Sequence, residues 1–317
     1  MKKATRSKTK TSCQVVVVGS LNLDYITRVE HLPRPGETIV ADKMARFRGG
    51  KGANQAIAAA RQGCEVTLVG AVGFDEGGDV YRRVLEDEGI HTDYLRTAAT
   101  ETGSAFITVD HQGENVIVIA PGANADLRRS DIARSAPAIE SCAVLLGQFE
   151  VPTDTLIEAA RIANQSKTLV VINPSPYLWT FPWEEIRTDV IVVNETEAEA
   201  LLGFRPEPSA ASEVRKRLHE LHAESLVVTR GGDETLAFTR EGESFSIPVL
   251  SVLPVDTVGA GDAFSGCLAA RLAQGETLRT ALRAANCAGA LTTLGAGAQD
   301  PIPNRAQVDR HLQFLDL

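Results

Sequence analysis

Beyond Pro121 the chain alternates short apolar runs with helix-patterned segments, and no other feature narrows its fold as much. Residues 143–149, 168–172, 190–193 and 226–229 read as strands rich in consecutive apolar residues. Residues 153–164, the stretch opening NETEAEALLG at Asn194, and 212–222 read as helices. Strands that are apolar on both sides must be covered on both faces, and strand–helix–strand connections join parallel neighbours. Upstream, 14–19 and 65–70 repeat the strand pattern, and 79–88 the helix pattern closed by Gly89. The expectation is an α/β three-layer sandwich around a central, mostly parallel sheet. Two segments break the rhythm. Residues 25–47 are short, alternating and interrupted by Pro33, Pro35 and Gly36; 102–119 alternate with period two about Gln112 and Gly113. Together they predict a small β-insert standing off the sheet, and 235–249 predicts a closing hairpin.

Polar residues gather where the strands end: Asn22 and Asp24, Glu150, Asn173, Asn194 with Glu197, Thr229, and Asp256 with Asp262. The carboxyl edge of an open parallel sheet is where ligands bind. Singly, each reads as a cap or turn residue: Glu150 begins the turn to Pro152, and NETE is an acidic first helical turn. Their collection on one edge argues for a site.

Two glycine turns stand out. In DTVGAGDAF, from Asp256 to Phe264, Gly259, Ala260 and Gly261 lead into a run with helical spacing (Phe264, Cys267, Leu268, Leu272) closed by Gly275. Such a turn presents N–H groups that no helical carbonyl claims, and the helix dipole adds positive charge, so it suits a phosphate. Asp262 at its mouth is placed either as a general base or as an ordinary N-cap. The other turn, RGGKGANQAIAAARQG, has Gly49, Gly50 and Gly52 ahead of an alanine-rich helix that ends at Gly63. It is no Walker A loop, because Lys51 is misplaced and no Ser or Thr follows it. It allows close backbone approach to a ligand, with Asn54 able to donate and accept; tight helix–strand packing explains it equally well.

Charge narrows the partners. The formal net charge is −9, and outside a basic first ten residues (Lys2, Lys3, Arg6, Lys8, Lys10) the chain carries 27 basic and 41 acidic residues. That balance argues against a nucleic-acid partner, so any phosphate must be held by a local site, with a divalent metal. Residues 1–11 are expected to be a disordered tail. The run Val15 to Val18 is too short to cross a membrane, so no membrane partner is expected. Five scattered cysteines without CxxC spacing suggest no disulfide framework and no zinc site, hence a reducing, cytoplasmic compartment.

The motifs GSLNLD, GGKGANQA, GENVIVIAPGANA, NPSP, NETEAEAL, VVTRGG and VDTVGAGDAF follow one another from residue 19 to about 303. In this order they resemble the ribokinase (PfkB-type) carbohydrate kinase family. The resemblance implies one kinase domain over 12–317 with a β-sheet lid formed by about 24–48 and 100–121. It implies that Asn22, Asp24, Gly50, Lys51, Gly52, Asn54 and Glu150 bind a sugar, Asp24 accepting from a vicinal diol. Asp262 would be the base, with Gly259, Ala260 and Gly261 forming an anion hole through the N–H groups of Ala260 and Gly261. Asn194, Thr229, Arg230, Gly231, Gly232, Gly261 and Asn286 would hold the nucleotide, and Glu197 would help order Mg²⁺ through water. A monovalent cation, usually K⁺, would sit near Asp256, Val258, Thr292, Gly295, Gly297 and Pro301. Gly295 stands where an arginine is common and Pro301 where a serine is common, which bears on ion selectivity.

The implied reaction is ATP-dependent phosphorylation of D-ribose at O5. The same fold also carries deoxyribose and nucleoside kinases, and a silent sugar-binding regulator would have lost the base or the glycines, which this chain keeps. The apolar lid residues Phe106, Ile107, Val116 and Val118 predict a homodimer joined through the lid.

Overall fold

The computed structural model describes residues 13–313, so the tail expected at 1–11 and the outer limits of the expected 12–317 unit lie outside them. Thirteen strands and nine α-helices follow among the described residues. The first half contains β1 (Gln14–Val18), β2 (Asn22–Arg28), β3 (Lys43–Gly49), α1 (Lys51–Arg61), β4 (Glu65–Gly73), α2 (Glu76–Asp87), β5 (Leu95–Ala98), β6 (Gly103–Val109), β7 (Asn115–Ala120) and α3 (Arg129–Ser141). The second half contains β8 (Val144–Gln148), α4 (Thr153–Ser166), β9 (Leu169–Asn173), β10 (Thr188–Asn194), α5 (Glu195–Leu202), α6 (Ala211–Glu220), β11 (Ala223–Arg230), β12 (Asp233–Thr239), β13 (Ser244–Ile247), α7 (Ala260–Ala273), α8 (Leu278–Thr292) and α9 (Arg305–Leu312).

Nine strands form one sheet in the order β13-β12-β11-β10-β9-β8-β1-β4-β5, parallel except at β12 and β13. Alternate residues of each strand feed two cores. Val15, Val17, Val144 and Leu146 pack with α1, α2, α7 and α8; Val16, Val18, Leu145 and Ile172 pack with α3, α4, α5 and α6. This is the expected three-layer sandwich. From β1 the chain first adds β4 and β5 on one side, then β8 to β11 on the other. The crevice between the carboxyl ends of β1 and β8 is therefore the switch point at which such sheets bind ligands.

The remaining strands make a separate sheet, β3-β2-β6-β7, whose β2–β6 pairing is parallel and whose other pairings are antiparallel. Its outer strand β7 exposes Val116, Ile117, Val118 and Ile119, each about half accessible. Tyr25 stacks on Phe106 across the β2–β6 pair, with ring centroids 5.5 Å apart.

One expectation is corrected. Cys13 and Cys64 form a disulfide, with Cα atoms 5.0 Å apart. The parallel pairing of β1 with β4 sets Gln14 opposite Glu65 and so brings the preceding cysteines alongside. A separation of 51 residues hides this from spacing rules, and the compartment inferred from unpaired cysteines loses that support. Cys142, Cys267 and Cys287 are free and buried, and burial pushes the Cys267 thiol up to about 12. Among the described residues, no helix is long and apolar enough to cross a membrane.

Candidate active site

The site grows from the ends of β1 and β8. Just after β8, Glu150 Oε2 accepts from Ser20 Oγ at 2.5 Å and from the Lys51 N–H at 3.2 Å, tying the switch point to the first turn of α1. Asn22 opens β2, and its Oδ1 accepts from Asn124 Nδ2 at 2.8 Å. Asn124 is itself held by the N–H and carbonyl of Leu21. With its oxygen so used, Asn22 has Nδ2 left to offer a ligand. Asp24, one turn of the pleat further on, is half-buried against Gly49, where a side chain would collide with its carboxylate. Burial first, then the negative charges of Glu150 and Asp262, push the Asp24 carboxyl up to about 7.

Opposite this cluster, α7 begins at Ala260 behind Gly259, whose φ of 80° is left-handed and free of strain only for glycine. The Ala260 N–H donates to Thr257 O at 3.3 Å. Among the described residues, no hydrogen bond uses the N–H of Gly261 or Asp262. Of the expected pair, Gly261 keeps its N–H free, and Asp262 adds a second free donor. Asp262 sits in the first helical turn and is buried, with Oδ2 accepting from Asn54 Nδ2 and Oδ1 from Gln55 Nε2, both at 2.9 Å. A bare N-cap would accept from its own helix; this carboxylate accepts from α1 instead.

Two cavities meet at Gly261. One, of about 130 Å³, is lined by Lys51, Asn194, Glu197, Thr229 and Asp262. Burial pulls the Lys51 ammonium down, but Asp262, Glu150 and Glu197 outweigh it and hold it above its ordinary value. Glu197 and Asn194 form a reciprocal cap on α5: Glu197 Oε2 accepts from the Asn194 N–H at 3.0 Å, and Asn194 Oδ1 from the Glu197 N–H at 2.8 Å. The other cavity, of about 380 Å³, runs past Thr229, Gly231, Gly232 and Phe264 to Asn286. The Asn286 amide is already spent, its oxygen accepting from Thr235 and its nitrogen donating to the carbonyls of Ile247 and Pro248, so it forms wall. Arg230 turns aside to Glu195 at 3.5 Å.

The residues expected around a cation also converge. Asp256 accepts from the N–H of Val258 at 3.1 Å and of Gly297 at 2.9 Å, fastening the loop before α7 to the loop after α8. Gly295 faces Pro301, whose Cβ leaves no room for a side chain there. Thr292 Oγ1 is turned back to Ala288 O at 2.8 Å. Among the described residues, no group of three or more His, Cys, Asp or Glu side chains could hold a metal ion. A monovalent ion between these loops would rest on backbone carbonyls and Asp256.

The sequence reading missed Gln55, Gln148 and Gln299. The only signal was the pair Asn54–Gln55 in an alanine-rich helix, where a polar side chain facing the core needs a partner.

A sheet switch point, a helix start with free N–H groups and a buried carboxylate between them are the parts on which phosphoryl transfer in an α/β enzyme calls. The pfkB family carbohydrate kinase profile matches residues 13–305, and the chain belongs to that family. It is 34% identical over 304 residues to a ribokinase of Haemophilus influenzae, covering 95% of this chain and 98% of that one. It is 35% identical over 308 residues to a deoxyribokinase of Salmonella typhi, covering 95% and 99%. The solved structure of Arabidopsis thaliana ribokinase complexed with ribose and ATP superposes with a TM-score of 0.87 at 29% identity, covering 96% of this chain and 99% of that one. The protein is a carbohydrate kinase.

Proposed function

We propose that the chain transfers the γ-phosphoryl group of ATP to O5 of D-ribose, with Asp262 as the general base. The observation that carries this reading is the place of Asp262. It lies buried at the boundary between the polar cluster of Asn22, Asp24 and Glu150 and the free N–H groups at the start of α7. Asp24 and Asn22 would hold sugar hydroxyls, and Asp262 would take the proton of the attacking one. The Gly261 and Asp262 N–H groups and the Lys51 ammonium would receive the transferring charge, which is most of what this chemistry asks of a protein. The cleft from Gly231 to Phe264 fits the nucleoside end of ATP. Mg²⁺ entering with the nucleotide would neutralise phosphate charge. Glu197, with one carboxylate oxygen spent on its cap, keeps the other for a metal-bound water.

Residues 24–48 and 100–121 would act as a lid over the sugar, and the apolar residues of β7 would pair two subunits. Light scattering at micromolar concentration should show a dimer. K⁺ would raise activity above Na⁺ through the Asp256 loops, and equal rates in the two salts would remove that ion from the reading. An ATP-consuming sugar kinase points to a cytoplasmic setting.

A second reading, a kinase of 2-deoxyribose or a nucleoside, has two supports. The Salmonella deoxyribokinase is as similar as the ribokinases, and a further cavity of about 380 Å³ opens beside Asn22 and Glu150 with Phe149, Val151 and Pro152 in its wall. ADP release measured over ribose, deoxyribose, hexoses and nucleosides with Mg²⁺ and K⁺ decides between them. Ribose should show the highest kcat/KM. A preference of about tenfold for another substrate, the order of one lost hydrogen-bond partner, would replace it.

A further inference from the structure

We propose that Gln55 and Gln299 are positioning residues for Asp262, members of two buried amide relays that force an N–H group onto each oxygen of its carboxylate. This rests on the reading of Asp262 as the base.

A primary amide can be turned over, and either Asn54 or Gln55, turned over, would aim a carbonyl oxygen at the carboxylate. The structure prevents this through groups that have no choice of role. On one side, Asn173 at the end of β9 donates Nδ2 to Val192 O at 2.9 Å. A backbone carbonyl only accepts, so Asn173 must show its oxygen to Gln55. Gln55 then spends one Nε2 hydrogen on Asn173 Oδ1 at 3.1 Å and the other on Asp262 Oδ1 at 2.9 Å. Its own oxygen accepts from Gln148 Nε2 at 2.6 Å. On the other side, Arg48 Nε approaches Gln299 Oε1 at 3.4 Å. A guanidinium only donates, so Gln299 turns its nitrogen to Asn54 Oδ1 at 2.9 Å, and Asn54 turns its nitrogen to Asp262 Oδ2. The second Gln299 hydrogen points to Tyr81 Oη at 3.4 Å.

Every amide beside the carboxylate is buried: Gln55 is 0% exposed, Gln299 3% and Asn54 4%. Away from water, a reversed amide would leave donors and acceptors unmatched on both sides, so the two relays hold the plane of the carboxylate. One relay ends in β3, a strand of the small sheet, where Arg48 also pairs with Asp300 at 2.8 Å. A residue of the proposed lid thus sets the orientation of the proposed base. Asp24 on β2 and Lys51 on α1 feel the charge of Asp262, Glu197 on α5 lines the same cavity, and Glu150 after β8 acts on both Asp24 and Lys51.

The test compares Gln55→Met and Gln299→Glu with wild type and Asp262→Asn, measuring kcat and ribose KM across pH. Gln55→Met keeps length and removes the donor; Gln299→Glu keeps shape and can still pair with Arg48, but offers no N–H to Asn54. Both should lower kcat by about 10–10²-fold, the usual result of misplacing a reacting group, with much smaller changes in KM. Donors to a carboxylate favour its charged form, so in Gln55→Met, which adds no charge, the acid limb of kcat should move to higher pH, which a packing defect would not cause. Wild-type kcat and an unmoved limb in the variants, beside an inactive Asp262→Asn, would overturn the relay alone. An active Asp262→Asn would overturn the base and the relay with it. If Gln55→Met does not fold, Gln299→Met, which likewise adds no charge, decides.

Discussion

The turn at 49–52 and the turn at 259–261 have similar glycine content, and their missing side chains make room for different things. A Cβ on Gly50 would stand 2.6 Å from the backbone nitrogen of Asn22, and one on Gly52 2.4 Å from the carbonyl carbon of Gly19. There the space is filled by the protein itself, as α1 is drawn against the end of β1. A Cβ on Gly261 would meet nothing within 4 Å, although the residue lines both cavities. Its space is open, on the side where the proposed reaction would bring a phosphate. Gly259 combines the two demands, with a left-handed backbone and Ala298 behind it. The first turn thus builds the wall that carries Asn54 and Gln55, and the second supplies open donors beside the carboxylate they hold.

Four measurements would break or sharpen this contrast. The largest effect is expected at the open turn itself. Asp262→Asn keeps the shape but removes the proton acceptor, so kcat should fall by about 10²–10⁴, the usual worth of a general base; its amide nitrogen would also face a donor from Asn54 or Gln55, at a cost of about 1–3 kcal/mol of stability. A variant retaining more than about a tenth of wild-type kcat would take Asp262 out of the chemistry.

At the packed turn, Gly52→Ala forces backbone apart at Gly19 and Ser20. It should lose about 1–3 kcal/mol, the cost of overpacking, read as a lower urea midpoint. An unchanged midpoint would mean that the turn is not held by packing.

Gly261→Ala should do the reverse. Alanine is the better helix former by up to about 1 kcal/mol, and its methyl meets no protein atom, so stability should hold or rise. The methyl would stand where a phosphate approaches, lowering kcat/KM for ATP by about tenfold or more, the equivalent of one good hydrogen bond. Loss of stability without loss of activity would assign Gly261 to packing as well.

The smallest effect concerns pH. Burial first, and then Glu150 and Asp262, raise the Asp24 carboxyl to about 7, so its charged, doubly accepting form fades as pH falls through that value. Ribose KM should rise by a few-fold from pH 8 to pH 6, following a tenfold change in protonation per pH unit. Sugar isotherms read by calorimetry would show it, and Asp24→Asn should flatten the dependence. For stability the sign is opposite: a carboxyl raised above its unfolded value of 3.8 contributes stability that is fully present below that value and is lost as pH rises through about 7.

Much of this is legible in the sequence. The apolar runs that became β1, β8, β9, β10 and β11 require a two-sided parallel sheet, because consecutive apolar residues can be buried only if both faces are covered. The two period-two segments could only be solvent-facing β-structure, and they form the separate sheet. Asn22, Asp24, Glu150 and Asp262 could be picked out because polar side chains at strand ends and helix starts have a position readable from the chain. Gln148 and Gln299 could not. One closes a strand of apolar pattern, the other lies in a loop, and each gains its meaning from a residue 93 or 245 positions away.

What the chain determined alone was local or periodic: element type, the two-sided sheet, the glycine turns and the free N–H groups of a helix start. Those follow from backbone sterics and from which faces are apolar. Only the tertiary structure decided which helix faces Asp262, which way each amide turns, that Ala260 spends its N–H on Thr257, and that Cys13 meets Cys64. These depend on parallel register and on the packing of α1 against α7, contacts between residues far apart in sequence, and no local pattern encodes the partner of a buried polar group.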